Sequence, residues 1–218
     1  MIGTSHHRFR RIAPFYDLGL KLLGLPLGGE RRVRETVLGL LPLQAGQRVV
    51  DVGCGTGTTT LMLAEKVGET GTVVGIDPSR EMLLRARRKL AERPQPQVTF
   101  LDGGGDSLPF PDGHFDAAVC FLVIHEMEHP DRLSSLREIV RALKQGGHLV
   151  VGEIRMPEAF FSRLVMRGLL AVEEREARDF LERGLDAIVA EASGSDLATL
   201  HRVVFAGGIA QGVLLQKR

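Results

Sequence analysis

The residues best suited to chemistry fall in one short run, VVDVGCGTG (49–57). Gly53, Gly55 and Gly57 alternate after an apolar stretch and ahead of a helical pattern. Glycine lets a chain turn sharply and lets a ligand approach the backbone closely. The helix start behind such a turn offers free N–H groups to a polar or anionic group. Asp51 stands two residues before the first glycine and Asp77 twenty after the last. The second acid falls where a nucleoside-binding fold places the acceptor for its ribose hydroxyls. A carboxylate there accepts from both hydroxyls and repels a 2′-phosphate. The bland alternative is a tight turn with Asp77 capping the helix near Ser79, which leaves the spacing of the acid unexplained. Dinucleotide loops read Gly-x-Gly-x-x-Gly. Here the third glycine arrives one residue early and an acid precedes the first. Asp51 would repel a pyrophosphate and suits an ammonium, bound directly or through water.

These residues need strands to carry them. Five runs read as strands: RVVDV (48–52), TVVGI (72–76), QVTFL (97–101), FDAAVCFLVI (115–124) and HLVVGEI (148–154). They are apolar almost without a break, as strands covered on both faces are. Helical patterns separate them. Thr58 to Val67 follows the glycine loop, Ser79 to Glu92 opens on an N-cap serine, and Asp131 to Leu143 stops before Gly146-Gly147. Alternation at this spacing predicts an α/β fold with a doubly wound, mostly parallel Rossmann-like sheet. A basic helix from Gly29 to Leu41 sits in an N-terminal helical cap, residues 1–45. The core is 46–154. Residues 155–206 read as a helical insertion on the substrate side, with an acidic amphipathic stretch from Glu173 to Glu191. The tail 207–218 reads as a last, antiparallel strand. All belong to one domain.

Composition narrows the function. A chain of 218 residues with 44% hydrophobic and 25% charged residues builds a core, which excludes wholesale disorder. A net charge of +1 gives no electrostatic footprint for nucleic acid. With no Trp and Tyr16 as the one tyrosine, there is no base-stacking surface. Cys54 and Cys120 cannot make a disulfide framework, so a reducing, cytoplasmic setting is expected. The apolar stretch from Ile12 to Leu27 is interrupted by Asp17, Lys21, Pro14 and Pro26, so it reads as an amphipathic segment packed on the domain rather than a leader or a membrane span.

The sequence resembles class I S-adenosylmethionine-dependent methyltransferases, from about Phe9 to Ile154. Within them it is most similar to the menaquinone/ubiquinone C-methyltransferase-like branch of small-molecule enzymes. The matching pieces are RIAPFYD (11–17), VVDVGCGTG (49–57), VVGIDPSREML (73–83), LPFPDGHFDAAVC (108–120) and LREIVRALKQGGHLVV (136–151). The resemblance implies S-adenosyl-L-methionine as the cofactor and a small, apolar acceptor. Gly53, Cys54, Gly55 and Gly57 are then expected around the methionine and ribose, Asp51 near the methionyl ammonium, and Asp77 on the ribose hydroxyls. Pro78 and Met82 are expected near the adenine. Tyr16 and Asp17 lie over the cofactor, and Phe121 and His125 face the reactive methyl. Tyr16 and His125 are the candidate catalytic residues, and residues 9–25 a lid. One departure stands out: the family's Asp that binds the adenine amino group aligns with Gly104, so Asp102, Asp106 or a backbone carbonyl must serve. Neither nucleic acid nor stable membrane insertion is implied, and a homodimer is left open. The alternatives are a cofactor-binding relative without transfer and, further off, an NAD-dependent oxidoreductase.

His125-Glu126-Met127-Glu128-His129 also fits the zinc-hydrolase pattern H-E-x-x-H, which needs both histidines on one helix face. Here the motif follows a strand, and Pro130 disfavours helical geometry at His129. No metal site is therefore expected, with His114 the one candidate third ligand. His125 reads either as a general base or as a polar residue satisfied by loop backbone. The run Arg85, Arg87, Arg88, Lys89 reads as a solvated helix face. Cys120, inside an apolar strand, reads as a small buried hydrophobe rather than a nucleophile.

Overall fold

A computed structural model describes residues 29–159, 163 and 175–218. Seven strands form one sheet: β1 (Arg48–Val52), β2 (Thr72–Asp77), β3 (Val98–Asp102), β4 (Phe115–Phe121), β5 (Leu143–Ile154), β6 (Leu197–Phe205) and β7 (Ala210–Lys217). Their order is β3-β2-β1-β4-β5-β7-β6. The first five run parallel, and β7 pairs antiparallel with both β5 and β6. The order reverses between β1 and β4, and the crevice outside their carboxyl ends is where such sheets bind ligands.

Among the described residues six helices cover the two faces: α1 (Glu30–Leu38), α2 (Thr58–Val67), α3 (Arg80–Glu92), α4 (His129–Ala142), α5 (Arg175–Arg183) and α6 (Leu185–Ser193). Val37, Leu38, Leu63, Leu83 and Ala86 bury one face of the sheet, through α1, α2 and α3. Leu136, Ile139, Phe180 and Ile188 bury the other, through α4, α5 and α6. The N-cap expected at Ser79 is present, its Oγ accepting the Met82 N–H at 3.4 Å.

Several expectations shift. Residues 155–206 are not helical throughout, because β6 occupies Leu197–Phe205 and extends the sheet beyond β7, running in the direction of the first five strands. It is an edge strand with most of its residues half-buried or exposed, so the alternation that marks a strand is missing from its sequence. The acidic stretch is broken by Gly184, at φ +78°, into α5 and α6. Finally, α4 starts at His129, two residues early, because Pro130 occupies the first turn, where an absent N–H costs nothing.

Arg132 ties the added helices to the core. Its guanidinium is fully buried. Nε donates to the Ile124 carbonyl at 3.0 Å, Nη1 to Asp179 at 2.6 Å and Nη2 to the Glu176 carbonyl, while the group lies 5.5 Å from the Phe180 ring centre. Removing a buried cation strands its acceptors. Arg132→Ala is expected to cost about 2–4 kcal/mol, with Asp179 recovering part by hydration. Urea unfolding at neutral pH measures it. A loss within about 0.5 kcal/mol, the range of ordinary surface substitutions, would show that the tether carries no stability.

Candidate active site

The glycine loop leaves β1 and enters α2 by turning back over the end of β2. The Gly53 and Cys54 N–H groups both donate to the Ile76 carbonyl, at 2.8 and 3.0 Å. Gly55 sits at φ +54°, and a Cβ built on it would meet nothing within 4 Å. The loop backbone therefore borders open space there, as a ligand cradle requires. Gly57 has a different reason to be glycine: a Cβ would press on the Phe100 ring at 2.6 Å and Ala86 at 2.9 Å.

Asp77 ends β2 with its carboxylate against this loop. Oδ2 accepts the Gly55 N–H and Oδ1 the Ser79 N–H, both at 2.8 Å. A carboxylate has about four acceptor sites, so it can hold the loop and still take ribose hydroxyls. The capping role and the ribose role thus coexist. Asp51 is buried at the end of β1. Its Oδ2 accepts from the Thr60 hydroxyl at 2.6 Å, while Oδ1 has no hydrogen-bond partner. Burial pushes its carboxyl up to about 6, against the smaller downward pull of Thr60 and Arg34. A buried, unpartnered carboxylate oxygen beside a glycine loop fits a ligand bearing an ammonium and opposes a pyrophosphate.

Arg34 is the residue that sequence reading missed. It is buried, held by Glu30 at 2.9 Å and bonded to the Thr59 hydroxyl, with its guanidinium 4.5 Å from the Phe121 ring centre. The i,i+4 spacing of Glu30 and Arg34 was the available signal, but surface pairs look the same. Phe121 packs between this cation and the Gly152 backbone, in the core layer under α1. Cys54 is buried there too, its thiol pushed well up by burial.

The other expected residues fall as follows. Pro78 is exposed, and Met82 is buried on the first turn of α3. Asp102 is bridged to Arg80 at 2.8 Å. At Gly104, a Cβ would lie 2.3 Å from Asp106 Oδ1, so Asp106 fills the space where a residue-104 side chain would stand. Tyr16 and Asp17, with the expected lid, lie outside the described residues.

Beyond β4 the chain turns at Leu122, φ +53°, into a short 3-10 turn, Ile124–Glu126. The Glu153 side chain, with no exposed surface, lies beneath it. Its Oε1 accepts the N–H groups of Val123, Ile124 and His125 at 3.0, 2.7 and 3.3 Å. Its Oε2 lies 2.7 Å from His125 Nδ1. His129 instead meets Glu191, at 3.1 Å, from the start of α4. The two histidines thus serve different elements. Among the described residues no group of three His, Cys, Asp or Glu side chains is placed to hold a metal. His114, the candidate third ligand, lies against Phe110 and Phe115, with ring centres 5.1 and 4.8 Å away. Beside the Glu153 strand end lies a cavity of about 210 Å³, lined by Ile154, Met156, Phe180, Leu185, Arg202 and Gln211 among others.

This sheet order, with a glycine loop and two acids at the ends of β1 and β2, defines the class I S-adenosylmethionine-dependent methyltransferases. A methyltransferase-domain family model matches residues 49–147. The ubiquinone/menaquinone biosynthesis C-methyltransferase UbiE of Pseudomonas aeruginosa is 32% identical over 92% of this chain and 84% of its own. A demethylmenaquinone methyltransferase of Listeria monocytogenes is 34% identical over 70% of this chain. The match spans 62% of that relative's length. A crystal structure of a SAM-dependent methyltransferase from Aquifex aeolicus superposes with a TM-score of 0.67, at 25% identity, covering 85% of this chain and 89% of that one. The chain belongs to the S-adenosylmethionine-dependent methyltransferases, in the ubiquinone/menaquinone C-methyltransferase family. The expected family, the mostly parallel Rossmann-like sheet and the cofactor are borne out.

The raised Asp51 carboxyl has a consequence for stability. An unfolded carboxyl ionises near 3.8, so between about 4 and about 6 the folded protein keeps a proton that the unfolded chain has lost. On Asp51's account, stability falls as pH rises through that window, and the cost is complete above it. Asp51→Asn keeps an acceptor for Thr60 without the charge. It is expected to stabilise the ligand-free protein at pH 7 by about 1–3 kcal/mol and to give no gain at pH 3.5. Thermal melts at the two pH values check this. Equal melting points at pH 7 would mean that Asp51 is solvated.

Proposed function

We propose that this chain moves a methyl group from S-adenosylmethionine to a small, apolar, quinone-type acceptor. The observation that carries the reading is the pair of buried carboxylates, Asp51 and Asp77, flanking the open side of Gly55. Asp77 takes the ribose hydroxyls while its bonds to Gly55 and Ser79 fix its orientation. Asp51 takes the ammonium, with Thr60 holding its other oxygen. Asp106, standing in the space at Gly104, supplies the acceptor for the adenine amino group. The altered residue 104 is thus compensated locally for cofactor binding. When bound, S-adenosylmethionine supplies an activated methyl on a good leaving group. The chain's own task is then alignment and exclusion of water.

The quinone-type acceptor is supported by the names of the relatives; the cavity beside β5 and α5 sets Ile154, Met156, Phe180, Leu181 and Leu185 next to Arg155, Asp186, Arg202 and Gln211, so it offers an apolar side and a polar one. Among the described residues no helix is long and apolar enough to cross a membrane. Whether two copies associate is open to sedimentation.

Calorimetry with S-adenosylhomocysteine, S-adenosylmethionine and NAD tests the cofactor, and a methyl-transfer screen over hydroquinones, phenols, amines and thiols tests the reaction. Binding of NAD in place of the other two would overturn the reading. Asp77→Ala is expected to weaken S-adenosylhomocysteine by about 2–3 kcal/mol, through loss of two charge-assisted hydrogen bonds. Gly55→Val should abolish binding while the protein stays folded, since the new side chain enters open space at a strained φ. Asp51 must lose its proton to pair with an ammonium. Affinity for S-adenosylhomocysteine should therefore rise with pH through about 6 and level off above it. In Asp51→Asn that dependence should vanish. An affinity independent of pH in the parent would remove Asp51 from the ammonium site.

A further inference from the structure

Gln211 is a buried amide engaged on one side only. It stands at the start of β7, 4% exposed, and lines the cavity beside the end of β5. Its Oε1 accepts from Arg202 Nη1. A guanidinium only donates, so this contact fixes which way round the amide lies. Nε2 then has no hydrogen-bond partner among the described residues. A buried donor without an acceptor is costly, and the cavity it lines suits an oxygen brought by a ligand. Much of the remaining wall is apolar, made by Met156, Phe180, Leu181 and Leu185. A cavity of about 150 Å³ is enough for benzene, so about 210 Å³ admits one substituted ring or two fused rings.

The charges around this cavity are already matched. Arg202 Nη2 bonds to Asp186, and Arg155 Nη2 to Glu158 at 2.9 Å. Glu153, directly opposite Gln211 in the β5–β7 register, puts a buried carboxylate on the same face of the sheet. An anionic ligand would find no unmatched cation and a buried acid nearby. A neutral oxygen, on a ring ketone or a phenol, suits the unused amide donor. The cavity lies at the same carboxyl edge of the sheet as the glycine loop. Even so, β5 stands two strands from β1, about 10 Å at the usual spacing. That sets the cavity apart from the groups assigned to the ribose and the ammonium, and leaves it for the second substrate.

We propose that this cavity seats the ring of the methyl acceptor, that Gln211 Nε2 donates to a neutral oxygen on that ring, and that rings bearing a carboxylate are refused. Gln211 is then a specificity-determining residue, and Arg202 its positioning residue. The ligand's role rests on the methyl-transfer reading above, whereas its chemistry rests on the cavity alone.

Three matched two-ring probes test this: 1-tetralone, a neutral ketone; tetralin, which lacks the oxygen; and tetralin-1-carboxylate, an anion. In ¹⁵N-glutamine NMR of the full chain with S-adenosylhomocysteine, the Gln211 NH₂ signals, assigned by their loss in Gln211→Leu, should move as 1-tetralone is added. The carboxylate should bind about tenfold or more weaker than the ketone. Gln211→Leu should lower 1-tetralone affinity about tenfold, as loss of one hydrogen bond does, and leave tetralin within about twofold. Gln211→Glu keeps an acceptor for Arg202 and removes only the donor, so it should show the same loss and serves even if Gln211→Leu fails to fold. An unmoved Gln211 amide at saturating 1-tetralone, or equal weakening of ketone and hydrocarbon, overturns the site. Tighter binding of the carboxylate overturns its neutrality. In methyl transfer, 1-tetralone should compete with the acceptor, and Gln211→Leu should raise the acceptor KM about tenfold, with S-adenosylhomocysteine affinity within about twofold. A ketone that binds as stated without competing overturns the assignment of the cavity to the acceptor and leaves the methyl-transfer reading standing. A protein that binds the ketone as stated yet methylates nothing across the acceptor screen overturns that reading, and the ligand's role with it.

Discussion

Loops at the carboxyl edge of this sheet are built on side-chain carboxylates that accept backbone N–H groups. Asp77 holds Gly55 and Ser79, and Glu153 holds Val123, Ile124 and His125. A buried N–H without a partner is costly, and so is a buried carboxylate. Each settles the other's requirement at the strand ends, where ladder bonds run out. Asp51 breaks the pattern: one of its oxygens is bonded to Thr60 and the other to nothing. Its raised carboxyl records that incomplete solvation. The sheet thus places two finished anchors around one unfinished acid, and the unfinished one is where a cation is wanted.

The core strands were legible because both their faces are covered. RVVDV and Thr58 to Val67 fall where their patterns place them, and Ser79 caps α3 as its type and position require. Legibility fails where burial is one-sided or absent. LATLHRVVF (197–205) forms an edge strand whose Leu200 and Val204 are largely exposed, so neither period survives in its sequence. The strand expected to run to Ile124 ends at Phe121, because Leu122 adopts φ +53°, a conformation no leucine advertises.

Much the same division holds at the site. Residues whose roles depend on backbone shape, such as Gly55 and Asp77, were readable from spacing. Partners brought from afar were not. Glu153 lies 28 positions from His125, in an apolar strand where one acid looks like an interruption. Arg34 stands on a helix of mixed charge and is distinguished only by being buried. Asp106 was one of three candidates for the gap at Gly104, and packing alone favours it.

The two cysteines acquire a further meaning beside a quinone-type acceptor. Oxidised quinones are electrophiles that add to thiolates, and a thiol reacts in proportion to its ionised fraction. Cys54 forms part of the glycine loop itself, where alkylation would block the cradle. Burial raises its thiol well above the ordinary value, and the charges of Asp51 and Asp77 push the same way. Cys120, at the end of β4, is raised chiefly by burial, with Asp51 and Glu153 adding to it. Burial and the neighbouring acids thus work together to hold both sulfurs in the thiol form, which slows their addition to the oxidised form of such a compound.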